Sequence, residues 1–450
     1  MTSRHRPEPA GPEAMNEAAL RTMAGGLLLA VSLVLSVYLL PAPGTLDVGV
    51  FLSWMEVVRE GGLFGGYATV VSNFPRGLIE GLGNVGGGEY PPLAYAILYA
   101  AGTFGDFAGL TPFQSFKLAL LVSHWAAVIL VLVISRDFLV ATAFSAAILL
   151  SGVALGYMDV CLAPWLIGAF WMVRSGYPLV GLGLFMVSVL VKWQPLIILP
   201  FLMIHLLGIS DMRSAWAALG GRPFRRMLGL AAVVALLLGA AFGSSPAMAF
   251  LYAAGHPFLS GNALNLPRLG DFVLQSLAAP SFTLGSEVEV STPPAMVLLP
   301  FKALFWAGFV FVLYLAVRSG KTLRNCLLFS TLGFVTYCTL NTGVHENHWF
   351  VAFVLAFVLA IHDPSPASRM IAILLAVMLN VNLFLFYGVT GDPVLPVVLG
   401  IDLSIPLSIL YCAVWLLLLH YAWRVAERAP RVRGGEMPVR MAPGRSGGHG

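Results

Sequence analysis

"GGLLLAVSLVLSVYLL", residues 25–40, decides what kind of fold this chain can have. It carries no charge, and a run this long and apolar belongs in hydrocarbon. There every backbone N–H and C=O must pair within the segment, which makes it a helix. It follows a charged head and ends in "PAPGTLD", residues 41–47, without the small-residue cleavage site of a secretory leader. A retained helix is therefore expected, not a signal peptide.

Runs of the same kind recur as far as residue 423, separated by short polar stretches. The 450 residues are 58% hydrophobic and only 10% charged, with a mean hydropathy of +0.86. A soluble domain carries about 25% charged residues. The expected fold class is an all-α polytopic membrane protein. Spans are expected at 23–40, 113–134, 138–155, 160–173, 177–191, 195–208, 227–243, 296–317, 325–340, 348–361, 369–387 and 403–423. Several are shorter than a full crossing, so the count is about 12 transmembrane helices, in the range 11–13. The four cysteines, Cys161, Cys326, Cys338 and Cys412, lie scattered in apolar runs, with neither a disulfide framework nor metal-ligand spacing.

The net charge of +4 says little, because the basic residues are sorted by side. With the N-terminus inside, most of the 25 Lys and Arg residues fall in inner segments. Chief among these are Arg213/Arg222/Arg225/Arg226, Arg318/Lys321/Arg324 and the tail from Arg424 to Arg445. This positive-inside bias predicts that both termini are cytosolic. The compact chain with Arg-rich termini suggests a bacterial inner-membrane protein, and a eukaryotic origin would make the membrane that of the endoplasmic reticulum. The long loops 41–112 and 244–295, and the turns 156–159, 192–194, 341–347 and 388–402, then share the periplasmic side. Residues 1–22 are expected as a disordered cytosolic N-terminus, 23–423 as the transmembrane module, and 424–450 as a basic disordered cytosolic tail able to touch anionic lipid. Residues 91–105 would invert the later loops if they spanned. They are expected to re-enter or lie along the outer face, as one of the outer-face helices of the first long loop.

Nearly every unusual polar residue falls on that outer side. Asp47 follows the first span and opens a helix whose apolar face holds Trp54, Met55 and Val58, with Glu56 and Arg59 opposite. In "GGGEYPPLAYAILY", residues 86–99, Glu89 stands between glycines that allow close approach and a Pro-Pro step that starts a helix. Asp159 lies at a tight turn in "LGYMDVCLAPW". Lys192, Trp193 and Gln194 interrupt an apolar stretch, and a lysine at that depth needs water, a carboxylate or an anion. "TLNTGVHENHWF", residues 339–350, is the densest polar cluster. Its His345 and His348 are three apart, unlike the HExxH zinc pattern, so no metal site is expected. "HPFLSGNALNLPRLGD", residues 256–271, adds His256, Asn262, Asn265 and Arg268, whose side chains suit sugar hydroxyls and also suit an ordinary loop.

Taken in order, these stretches resemble the GT-C superfamily of polytopic glycosyltransferases, especially those that glucosylate lipid-linked oligosaccharides, and their bacterial relatives. Asp47 with Trp54, Met55 and Glu56 is similar to the family's acid and Trp-Met-Glu helix in the first outer loop. Glu89–Leu93 is similar to its acid before Tyr-Pro-Pro-Leu. His345 and Glu346 match the second His and the Glu of its late His-x-His-Glu-Lys stretch. Gly343 stands in place of the first His and Asn347 in place of the Lys, which leaves substrate identity open. Lys192 and Gln194 fit a weaker Lys-x-Gln-Pro likeness.

The resemblance implies inverting transfer of a hexose or pentose from a polyprenyl-phosphate-linked sugar donor to a glycan, glycolipid or lipid-linked acceptor at the outer face. Asp47 would be the general base and Glu89 its supporting carboxylate. Lys192 and His345 or His348 would meet the departing phosphate. Gln194, Glu346, Asp159, Asn262, Asn265 and Arg268 complete the expected substrate-binding set. The expected partners are that donor, that acceptor and membrane lipids, with no nucleic acid. No cofactor is expected, and Asp47, Glu89 and Asp159 lack a spacing that demands a divalent cation. No Gly-rich nucleotide-sugar loop is seen. The rival readings are a polyprenyl-linked glycan polymerase or ligase, a secondary transporter or flippase, and a purely structural membrane protein. No internal repeat supports transport.

Overall fold

The computed structural model describes residues 12–73, 78–79, 83–84, 88–279, 281–392, 394 and 396–428. The chain is an all-α multi-pass membrane protein. Its helices run, in order, α1 (Pro12–Tyr38), α2 (Leu46–Asn73), α3 (Pro92–Ala108), α4 (Pro112–Ser135) and α5 (Phe138–Leu149), the last extended by a π turn over Leu150–Ala154. A 3-10 turn, Met158–Leu162, leads into α6 (Ala163–Arg174) and then α7 (Pro178–Val191). A second 3-10 turn, Gln194–Ile198, leads into α8 (Leu199–Leu207), followed by α9 (Met212–Leu219), α10 (Arg222–Phe242), α11 (Ser245–Ala254) and α12 (Leu266–Ala278). The chain ends with α13 (Ala295–Arg318), α14 (Leu323–Leu340), α15 (Trp349–His362), α16 (Pro366–Tyr387) and α17 (Ser404–Arg428).

A helix stands at each of the twelve expected spans. Six helices among the described residues are long and apolar enough to cross a membrane: α1, α4, α10, α13, α16 and α17. A seventh is reached if Gln194–Leu207 and Met212–Leu219, bent by 87°, form one span. Helices α14 and α15, at 18 and 14 residues, are enclosed by the bundle. From Trp349 to Ala356 the residues of α15 are at most 1% exposed, and α14 is buried along most of its length. Helix α1, exposing Leu27, Val34 and Val37, instead meets the surroundings directly.

Three boundaries differ from expectation. Helix α1 begins at Pro12, inside the stretch 1–22 expected to be disordered, and residues 1–11 lie outside the described residues. Helix α17 runs to Arg428, taking in the start of the expected tail, of which residues 429–450 lie outside the described residues. The loop 244–295 contains two helices, α11 and α12. The second has a clear local cause: Asn265 Oδ1 accepts the Arg268 N–H at 2.9 Å, and Pro267 lies in the first turn.

Residues 91–105 form α3, packed against α2, α4 and α7. Pro91 is extended at φ −73°, ψ 162°, and Gly109 closes the helix at φ 67°. Helix α2 is broken at Gly62, whose φ of 70° and ψ of 161° turn the chain back on itself. The returning limb lies so close to the first that a Cβ on Gly66 would stand 2.5 Å from Val58 Cα. Between α2 and α3, Trp54 stacks on Tyr95 at 5.1 Å, and Tyr67 meets the edge of Tyr95 at 4.7 Å.

This close approach gives a test. Gly66→Ala is expected to destabilise the purified protein by about 1–3 kcal/mol, because backbone must move to admit one methyl group. Gly65→Ala, with open space around it, is expected to be neutral or slightly stabilising. Equal melting temperatures for the two variants in detergent would contradict the tight corner.

Candidate active site

At the end of the bundle away from the basic loops lies a cavity of about 660 Å³. Asp47, Glu89, Lys192, Gln194, His345 and His348 all line it, although they come from four separated stretches of chain. Asn347, Tyr337, His256 and Lys302 line it as well.

Asp47 occupies the first turn of α2, where the helix's unpaired N–H groups favour a carboxylate. The preceding turn is tied down twice, by Gly44 N–H to Thr390 O at 3.1 Å and by Thr45 N–H to Leu155 O at 3.0 Å. The Asp47 carboxylate itself faces the cavity with no hydrogen bond among the described residues. Burial raises its pKa above the ordinary value, Lys192 opposes that rise, and Asp159 adds to it.

Glu89 is held from both sides. Trp193 Nε1 donates to its carbonyl at 2.8 Å, and the next residue, Tyr90, is clamped by Phe51 and Trp54 at 5.6 and 5.3 Å. Tyr67 donates its hydroxyl to Tyr90 O at 3.2 Å. Glu89 Oε2 is buried with no protein partner among the described residues. Burial pushes its pKa up to about 7, helped by Asp47 and opposed by a backbone hydrogen bond and by Lys192. Of the glycines that lead to it, Gly86 and Gly87 lie outside the described residues.

Lys192 caps the end of α7 in an extended conformation and turns inward to Asp159, with Nζ 2.7 Å from Oδ2. Asn347 Nδ2 donates to the same oxygen at 3.1 Å. Asp159 lies behind the cavity wall in the buried 3-10 turn, and its role is to fasten Lys192 and Asn347 in place. That pairing competes with the expectation that Lys192 meets a phosphate directly, since a cation matched to a buried carboxylate offers little net charge.

The two histidines differ. The His345 N–H at 3.4 Å and the Tyr337 hydroxyl at 3.2 Å both point at His348 Nδ1, which makes that nitrogen the acceptor. His348 Nε2 then carries the proton and donates to the side-chain amide of Gln194, 2.9 Å away, with the amide turned to present its oxygen. His345 packs edge-on to His256 and Phe258 at 5.6 and 5.1 Å, with its Nδ1 4.0 Å from Glu346 Oε2 and its ring lining the cavity.

Other expected residues lie outside the cavity lining. Glu346 accepts the Tyr157 hydroxyl, and its carbonyl accepts Asn382 Nδ2 at 3.3 Å. Asn262, at φ 59°, donates to the Tyr387 hydroxyl at 3.3 Å. Asn265 caps α12. Arg268 is 1% exposed, donates from Nε to Ser404 Oγ at 3.2 Å and lies over the Phe386 ring. Together with the parallel pairing of Ser260–Gly261 on Val344–His345, these contacts fasten the 256–271 loop to the 341–348 turn. They thereby bring His256 into the cavity.

Sequence reasoning passed over Lys302. It lies inside the apolar run of α13, and the depth argument applied to Lys192 would have found it. No three His, Cys, Asp or Glu side chains among the described residues are placed to share a metal ion. Compared with protein-family models and with curated proteins, the chain matches none.

The raised pKa of Glu89 has a signed consequence. The native carboxyl holds its proton up to about pH 7, whereas the unfolded one releases it near 4.5. Between these values the native state binds more protons, so this group's contribution to stability is complete below pH 4.5 and is lost as pH rises toward 7. Glu89→Gln does not titrate and is expected to gain on the parent across that window, measured as the difference in melting temperature in detergent. A difference independent of pH would mean that Glu89 ionises normally.

Proposed function

We propose that the protein is a GT-C-type glycosyltransferase that transfers a hexose or pentose from a polyprenyl-phosphate-linked donor to a glycan, glycolipid or lipid-linked acceptor. One observation carries the reading. Asp47, Glu89, Lys192 and His345, picked out separately along the sequence, line a single cavity at the end of the bundle opposite the basic loops. The proposed topology has about 12 spans. Both termini are cytosolic, and the cavity opens at the periplasmic face of a bacterial inner membrane.

In the proposed reaction the acceptor hydroxyl attacks the anomeric carbon while Asp47 takes its proton. The bond to the phosphate oxygen breaks on the opposite face, so a single displacement inverts the configuration. The phosphate leaves as an anion and needs no protonating acid, unlike the leaving group of a hydrolysed glycoside. An unpaired carboxylate with a raised pKa is a stronger base than one in water, and nearby Lys192 opposes the rise that burial causes. Glu89, rigidly set and short of a partner, orients the acceptor. His345 offers an imidazole to the sugar or the phosphate.

Transport is the weaker reading because the two basic side chains buried in α4 are already engaged. Lys117 donates to the carbonyls of Val153 and Ala154, and His124 bonds Ser145 at 2.8 Å. Neither forms a step in a path through the bundle.

Asp47→Asn is expected to keep donor binding and lose turnover by roughly 10²–10⁴-fold, with Glu89→Gln costing less, on purified protein offered radiolabelled polyprenyl-phosphate sugars. A fully active Asp47→Asn enzyme would remove Asp47 as the base. The topology has its own check. Single cysteines at residues 47 and 345, in a background lacking the four native cysteines, are expected to react with an impermeant thiol reagent in spheroplasts. Labelling at only one of the two would place the site across the bilayer and defeat the proposal.

A further inference from the structure

Helix α13 turns four residues toward the cavity: Lys302, Phe305, Trp306 and Phe309. Their spacing of three, four and seven is that of a single helix face. Lys302 lies nearer the N-terminal end of α13, and the three aromatic rings follow it toward the middle of the helix. Phe305 is 7% exposed and Trp306 59% exposed, so this strip runs from the protected cavity out to the lateral surface of the bundle. The cavity is thus not closed against the surrounding apolar phase along α13.

Lys302 is also the cation with charge to spare. It makes no hydrogen bond or ion pair among the described residues, whereas the cavity's other lysine, Lys192, is 2.7 Å from Asp159. An ammonium group set in an apolar helix and left without a counter-charge requires an anion or water. The chemistry of the face is therefore that of an amphiphile, with an anionic head at Lys302 and a hydrocarbon tail along the aromatic strip.

We infer that Lys302, not Lys192, receives the phosphate of a lipid-linked phosphate whose hydrocarbon chain lies along Phe305, Trp306 and Phe309 and leaves the bundle sideways past Trp306. This deepens the proposed function and rests on it. Lys192 is then a positioning residue, which with Asp159 keeps Asp47 at its post, and the two lysines divide the tasks of recognition and activation.

The test is binding of polyprenyl phosphate to the purified full-length protein in nanodiscs, with uncharged polyprenol and inorganic phosphate as comparison ligands. Lys302→Gln is expected to weaken polyprenyl phosphate binding about tenfold, the loss of one charge-assisted contact, while polyprenol binding is unchanged. Lys302→Arg is expected to retain most of the affinity. Trp306→Ala, at a position 59% exposed, is expected to reduce the advantage of a long-chain over a short-chain prenyl phosphate. Equal affinity of parent and Lys302→Gln for polyprenyl phosphate overturns the assignment of Lys302 and leaves the proposed function standing. Inorganic phosphate bound as tightly as the lipid overturns the lipid assignment. A parent protein that binds no polyprenyl phosphate overturns the proposed function together with this inference.

Discussion

The ion pair between Lys192 and Asp159 is the constraint on which the site depends. Both side chains are almost wholly buried, at 5% and 1% exposure, so neither can turn to water without carrying the surrounding backbone with it. The pair joins the end of α7 to the 3-10 turn before α6, and Asn347 ties the same carboxylate to the turn before α15. Removing one partner of such a pair leaves a buried charge uncompensated, at a cost of about 3–5 kcal/mol. Three strands of the site's scaffolding therefore rise or fall together, and with them the placement of Gln194, His345 and His348.

Around this pair the polar groups divide into those that hold the structure and those left open. Asp159, Glu346, Asn265 and Arg268 have protein partners and fasten elements to one another. Asp47 and Lys302 face the cavity with no hydrogen bond among the described residues, and His345 lines it beside Glu346. Glu89 lies between, fixed through its backbone and through Tyr90, with one carboxylate oxygen unmatched. A fold that only needed stability would not leave a carboxylate and an ammonium unmatched beside one cavity, because each costs free energy in an apolar surrounding.

Much of this was legible in the sequence. Apolar runs located a helix at every expected span, since hydrocarbon leaves the backbone no alternative. The isolated polar residues Asp47, Glu89, Lys192 and His345 stood out because each breaks an apolar context at a cost. What could not be read was partnership. Asp159 and Lys192 are distant in sequence, and either one alone looks equally like a cap, a snorkelling end or a ligand. Asn262, Asn265 and Arg268 carry the same donors whether they bind a sugar or fasten a loop, and only the fold shows them occupied by Tyr387, the α12 backbone and Ser404. Lys302 was hidden for the opposite reason: a single charge in a long apolar run does not disturb the pattern that identifies a span. Helix limits such as Pro12 depend on the first and last turns, where apolar periodicity fades.

The proposed occupant of this cavity is a lipid-linked phosphate sugar, with the head between the acid side and α13. A cryo-EM structure of the protein in nanodiscs supplied with a non-transferable polyprenyl-phosphate sugar analogue tests it most directly. The expected result is a phosphate at Lys302, a tail crossing Phe305, Trp306 and Phe309, and the sugar lying toward Asp47. A well-defined analogue bound elsewhere on the bundle, with the cavity unchanged from the free protein, would contradict it.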